Sequence, residues 1–197
     1  MNELIQTFAI YALPILFAIT LHEAAHGYAA RYFGDNTAYV QGRVSLNPAR
    51  HIDPIGTLLI PILLYFLQSP FLFGYAKPVP VNFGNLRNPK KQMAFVAFAG
   101  PLANLVMALG WLVLLIVLVA FNISESFFLQ MAKAGVNTNL VIFAFNLFPI
   151  PPLDGGRILT SLLPNRYAYK FAKLEPYGFF IVLGLMFLNG LKYWMVP

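Results

Sequence analysis

Residues 92–121 carry no charged side chain. As a helix rising 1.5 Å per residue this run would extend roughly 45 Å, more than the roughly 30 Å of hydrocarbon in a bilayer. Four further apolar runs, at 4–21, 54–73, 136–150 and 178–196, reach or approach the length that a crossing needs. A chain with 59% hydrophobic and 10% charged residues and a mean hydropathy of +0.68 does not describe a water-soluble domain. The expectation is a polytopic, all-α membrane protein forming one domain over 1–197, with the lipid bilayer as its surroundings. The first run opens with Glu3 and lacks a basic leader, so it reads as a retained helix and not as a cleaved signal. The net charge of +6 reports topology here, not nucleic-acid binding.

The basic residues constrain how the runs are threaded. If all five cross, the lysines and arginines divide almost evenly between the two sides. If 54–73 enters and leaves on one face, Arg31, Arg43 and Arg50 join the eight basic residues from Lys77 to Lys91 and from Arg157 to Lys173. Only Lys133 and Lys192 then remain opposite. That bias matches the positive-inside tendency. The re-entrant form is therefore favoured, with Pro61 and Ser69-Pro70 interrupting the run, and a kinked span as the alternative. Spanning helices are expected at 4–32, 92–121, 136–150 and 178–195. Tyr39, Val40, Val44 and Leu46 around Gly42 suggest a small β-hairpin over 36–48, and 79–81 suggests another extended piece.

Within the first helix lies HEAAH at 22–26. His22 and His26 are one turn apart on one face, so both rings can reach one ion, and Glu23 lies about 100° round the helix, within reach of that ion's water. A zinc ion so held lowers the pKa of its water to roughly 7, and Glu23 becomes the candidate general base. Local pairing at a helix end is the blander reading, but ionisable groups at membrane depth are costly without a function. Nine residues separate His22 from Arg31, which places the site roughly 13 Å below the cytosolic surface.

With no cysteine in the chain, the third ligand must be a histidine or carboxylate. Asp154 follows a membrane helix directly in NLFPIPPLDGG, 146–156, where three prolines break the helix; an Asp-Gly turn or helix cap is the competing reading. His51 and Asp53 form a second polar pair, read as loop residues. Asn104 and Asn146 lie near the ends of apolar helices, where a buried amide must find a partner or serve a substrate.

HEAAH at 22–26, GPLAN at 100–104 and NLFPIPPLDGG at 146–156, in that order and each on an apolar run, resemble the site-2 proteases, polytopic zinc metalloproteases that cut within or beside the membrane. The resemblance covers most of the chain. It implies that His22, His26 and Asp154 bind zinc, that Glu23 is the catalytic base, and that Asn104 and Asn146 hold the substrate or its oxyanion. It further implies a transmembrane protein or peptide substrate and an active site toward the cytosolic side of a prokaryotic cell membrane. The chain resembles a compact form without the extra soluble domains of larger members. A locally unwound substrate is expected to add as a strand to the 36–48 hairpin or to 79–83. A membrane metal transporter or sensor using the same His/His/Asp set is the rival reading; transport has no need of a base at Glu23.

Overall fold

A computed structural model describes residues 2–67, 76–188, 190 and 194. The first apolar run forms α1, Asn2–Tyr32, and the charge-free stretch forms α4, Pro89–Ala120. Both are long and apolar enough to cross a membrane. Pro89 occupies the first turn of α4, where its missing N–H has no intrahelical partner.

Polarity is inverted relative to a water-soluble bundle. Phe8, Val106 and Val119 project outward at 60% exposure or more, while Thr20, His22, Asn104, Asn139 and Asp154 are buried. That arrangement suits lipid outside and a polar site within.

α1 ends in a turn that its sequence dictates. Gly34 adopts φ +116°, a left-handed conformation open to glycine at little cost. The Gly34 N–H then bonds the Arg31 carbonyl and the Asp35 N–H bonds the Ala30 carbonyl, closing the helix and carrying the chain back over its own end.

The expected hairpin over 36–48 is not there, and no strand occurs among the described residues. The short helix α2, Thr37–Val40, takes its place. Asp35 accepts both the N–H and the hydroxyl of Thr37, which starts the turn. Gly42, expected at a hairpin tip, instead ends it with φ +64°, and the Gly42 and Arg43 N–H groups bond back to Tyr39 and Ala38. Tyr39 spends its aromatic face on the Arg31 guanidinium, 3.6 Å from the ring centre, not on a cross-strand neighbour.

Asp53 caps the next segment, its Oδ1 accepting the Ile55 and Gly56 N–H groups at 3.0 and 2.7 Å. Pro54–Leu59 is wound as a π-helix and continues into α3, Ile60–Phe66. Pro61 is the second residue of α3, within this continuous helical segment. The rest of the 54–73 run, with Ser69-Pro70, lies outside the described residues.

α5, Ser126–Asn146, starts ten residues before the expected position, because Lys133 is an exposed residue within the helix and not a loop marker. It ends at Asn146, ahead of the prolines. α6, Asp154–Leu162, α7, Asn165–Ala172, and α8, Glu175–Phe187, follow. α4 is the central helix, packed against α1, α5 and α6. Beyond α8, Trp194 returns to the end of α5, donating its indole N–H to the Ala144 carbonyl at 2.7 Å.

Between α3 and α4 an extended strap, 76–82, crosses the end of the bundle. Val81 and Phe83 pack on the buried cluster of Ala30, Leu86 and Val96. Its start is tied by the Lys77 N–H to the His51 carbonyl and by Arg43, which donates to the Lys77 carbonyl. Its end is tied by the Asn82 N–H to Asp35 at 2.8 Å.

Candidate metal centre and cleft

One turn of α1 sets the His22 and His26 rings edge to face with centres 4.7 Å apart and Nε2 atoms 3.1 Å apart. The chain after α5 brings the third group. Gly155 and Gly156 lie so close to the Leu147–Pro151 backbone that a Cβ on either would come within 2.2 Å of it. This contact delivers Asp154, the first residue of α6, between the histidines. Its Oδ2 is 3.2 Å from His22 Nε2 and 3.4 Å from His26 Nε2.

The three donor atoms lie within 4.8 Å of one another. Asp154 is buried, does not cap its helix, and its Oδ2 has no hydrogen-bond partner. The Nδ1–H of His26 donates to the Val96 carbonyl at 2.7 Å, leaving Nε2 as a bare lone pair. Two imidazoles and a carboxylate converging on one point, with a buried oxygen that no protein donor satisfies, fit the donor set that an open catalytic zinc site uses. Gly100 of α4 makes room for it: a Cβ there would lie 2.4 Å from His26 Nε2 and 2.7 Å from His22 Cε1.

The site opens into a cavity of about 500 Å³ between α1, α5, α6 and the strap. Glu23 lines this cavity, and its Oε2 accepts the Val79 N–H of the strap at 2.8 Å. Asn146 also lines it, one side-chain N–H bonded to the Ile142 carbonyl of its own helix. Asn104 stands behind His22, its Oδ1 2.6 Å from His22 Nδ1. Both N–H groups of Asn104 are taken, one by the Ala18 carbonyl at 3.1 Å and one by Asn139 at 3.0 Å, which leaves none for a substrate. His51 and Asp53 stay outside this cluster: the His51 ring donates to the Ser45 carbonyl and Asp53 is a cap.

Two further residues belong to the site, neither expected from the sequence. Arg157 lines the cavity one turn after Asp154, paired with Glu175 at 3.2 Å; its spacing on α6 was the available clue. Asn139 closes the polar stretch Asn137-Thr138-Asn139 in α5, and nothing short of the fold singles it out from its neighbours.

The profile of Peptidase family M50 matches residues 126–189, which hold Asn146 and Asp154. YwhC of Bacillus subtilis is 38% identical over 88% of this chain and 78% of its own length. The chain belongs to peptidase family M50, the site-2 proteases. Rip2 of Mycolicibacterium smegmatis is 29% identical over 91% of the chain and 67% of its own length, and a protein of Methanocaldococcus jannaschii is 27% identical over 82% of the chain and 36% of its own length. All three are named zinc metalloproteases. No solved structure gives a significant match. The M50 chain is thus a zinc metalloprotease acting on protein in a membrane context, and the transporter reading is not favoured.

Proposed function

We propose that this M50 chain is an intramembrane endopeptidase in which His22, His26 and Asp154 hold zinc and Glu23 is the general base. The observation that carries the reading is that Glu23 faces the same cavity as the three convergent donor atoms, one residue along α1 from His22. Bound zinc supplies Lewis-acid polarisation of the scissile carbonyl and lowers the pKa of its water. Glu23 is placed to take a proton from a water attacking the peptide carbonyl in the cavity and to deliver it to the departing amine as the C–N bond breaks. Asn146, whose amide has capacity beyond its bond to Ile142, contacts the substrate backbone or its oxyanion. Asn104, with both N–H groups engaged, acts on His22 instead.

The substrate in this reading is a transmembrane protein or peptide unwound next to the cavity. Its backbone groups lie beside the strap, whose Val79 N–H already satisfies one carboxylate. With 54–73 re-entrant, 11 of the 13 lysines and arginines lie on the side of Arg31, which supports a cytosolic site in a prokaryotic plasma membrane.

The test pairs zinc content with cleavage of a model transmembrane peptide, comparing the native protein in detergent with Glu23→Gln. Zinc retained at the native level, with turnover lower by about 10³-fold, is expected. Full cleavage by Glu23→Gln would remove Glu23 as the base.

A further inference from the structure

Asn139, buried at 0% exposure in the middle of α5, has no place in the chemistry above. Its Nδ2 lies 2.8 Å from the Gly135 carbonyl, and its Oδ1 receives an N–H from Asn104 at 3.0 Å. A carbonyl can only accept, so the NH2 end of Asn139 must face Gly135 and its oxygen must face Asn104. Asn104 then has two acceptors on one side, Asn139 Oδ1 and the Ala18 carbonyl, and its NH2 end must face both. That leaves only its oxygen for His22 Nδ1, at 2.6 Å. An oxygen at Nδ1 requires the proton on Nδ1 and frees Nε2, the atom 3.2 Å from Asp154.

We infer that Asn139 is a positioning residue for the metal centre: through Asn104 it fixes the tautomer in which His22 presents a bare Nε2. Two backbone carbonyls, Gly135 on α5 and Ala18 on α1, anchor the polarity of the relay at its ends, so neither amide can turn over without two carbonyls or two NH2 groups meeting. His26 reaches the same tautomer without a relay, through one bond to the Val96 carbonyl. The two ligands therefore differ in how they are held, although their Nε2 atoms do the same work. The inference rests on the His/His/Asp metal reading.

The experiment uses the full chain in detergent micelles with 15N-labelled histidine, before and after Zn2+ is titrated against a competing chelator. In the native protein both site histidines are expected to keep Nδ1 protonated with and without Zn2+, and His22 Nε2 to carry no proton once Zn2+ is bound. An unprotonated Nδ1 on His22 would overturn the inference without any variant. In Asn139→Leu the His22 signals are expected to divide between tautomers while those of His26 stay in place, and zinc affinity is expected to fall about tenfold, in the range typical for groups that orient metal ligands. Asn139→Asp, protonated at this depth, can donate to Gly135 and accept from Asn104, and is expected to restore both the spectrum and the affinity. Unchanged His22 signals and affinity in Asn139→Leu would refute the relay, as would an Asn139→Asp variant no better than Asn139→Leu. His22→Ala serves as the separate check on the metal reading: full zinc affinity there would sink that reading, whatever Asn139 does.

Discussion

Asn104, Asn139 and Asp35 are equally buried, at 0%, 0% and 1% exposure, yet the bundle interior uses neutral amides and its rim uses a carboxylate. The difference follows from what the backbone has to offer. In mid-helix every N–H is spent on the helix itself, and only the second lone pair of a carbonyl is left, so a side chain buried there must donate. Asn104 does so to Ala18 and Asn139 does so to Gly135. At the rim, helix starts and irregular backbone leave N–H groups unpaired, so a side chain buried there must accept. Asp35 collects the N–H and hydroxyl of Thr37, the Asn82 N–H and the Asn85 amide. Burial works against its charge, but these bonds from Thr37, Asn85 and Asn82 outweigh it and hold the Asp35 carboxyl below the usual carboxylate range. Interior polarity is thus tuned to orient a ligand, and rim polarity to fasten the strap that touches Glu23.

The sharpest way to separate the two regions is Gly100→Ala. Its Cβ would intrude on both histidines, and an overpacking penalty of about 1–3 kcal/mol corresponds to about 5- to 150-fold weaker zinc binding, read by chelator competition. The strap, fastened at the rim by Asp35, should be unaffected in limited proteolysis.

Asp35→Ala is the converse. Leaving the Thr37 and Asn82 N–H groups without their acceptor should lower stability by about 1–3 kcal/mol, seen as a drop in melting temperature in detergent. Turnover should fall several-fold through the loosened strap while zinc affinity stays native. A parallel loss of zinc would show that rim and interior act as one unit.

The smallest expected effect is in pH. A group whose pKa is depressed on folding stabilises the fold above its unfolded pKa and loses that contribution as pH falls through the folded value. The stability difference between the native protein and Asp35→Asn should therefore be flat above about pH 5 and shrink below about pH 4. A difference that instead grows on acidification would contradict the assignment of charge to Asp35.

Much of this was legible in the chain because its strongest constraints are local. A charge-free run imposes α4, and one helical turn places His22 beside His26. Asp154 was ambiguous because an aspartate before two glycines suits a cap as well as a ligand; the close contact of Gly155 and Gly156 with the preceding turn, which sets it beside the histidines, is not written in the local sequence. The hairpin failed because β-branched and aromatic residues at 39–46 were weighed above Asp35 and Gly42, whose capping and left-handed turn set the local path first. Asn139 was invisible because its meaning depends on Asn104, 35 residues away, and on a carbonyl one turn back.

The relay across α1, α4 and α5 also bears on how the molecule is put together. Helices that enter a bilayer one by one have little hydrophobic reason to prefer one alignment over another, since lipid is as apolar as their neighbours. Ala18, Asn104 and Asn139 supply that preference. A slip of α4 by one turn, about 5.4 Å along α1, would strand two amides in hydrocarbon and pull Asn104 from His22. The mate that selects the correct pairing of three helices is therefore the same one that aims a metal ligand, so a chain assembled out of register is also a chain that cannot cut.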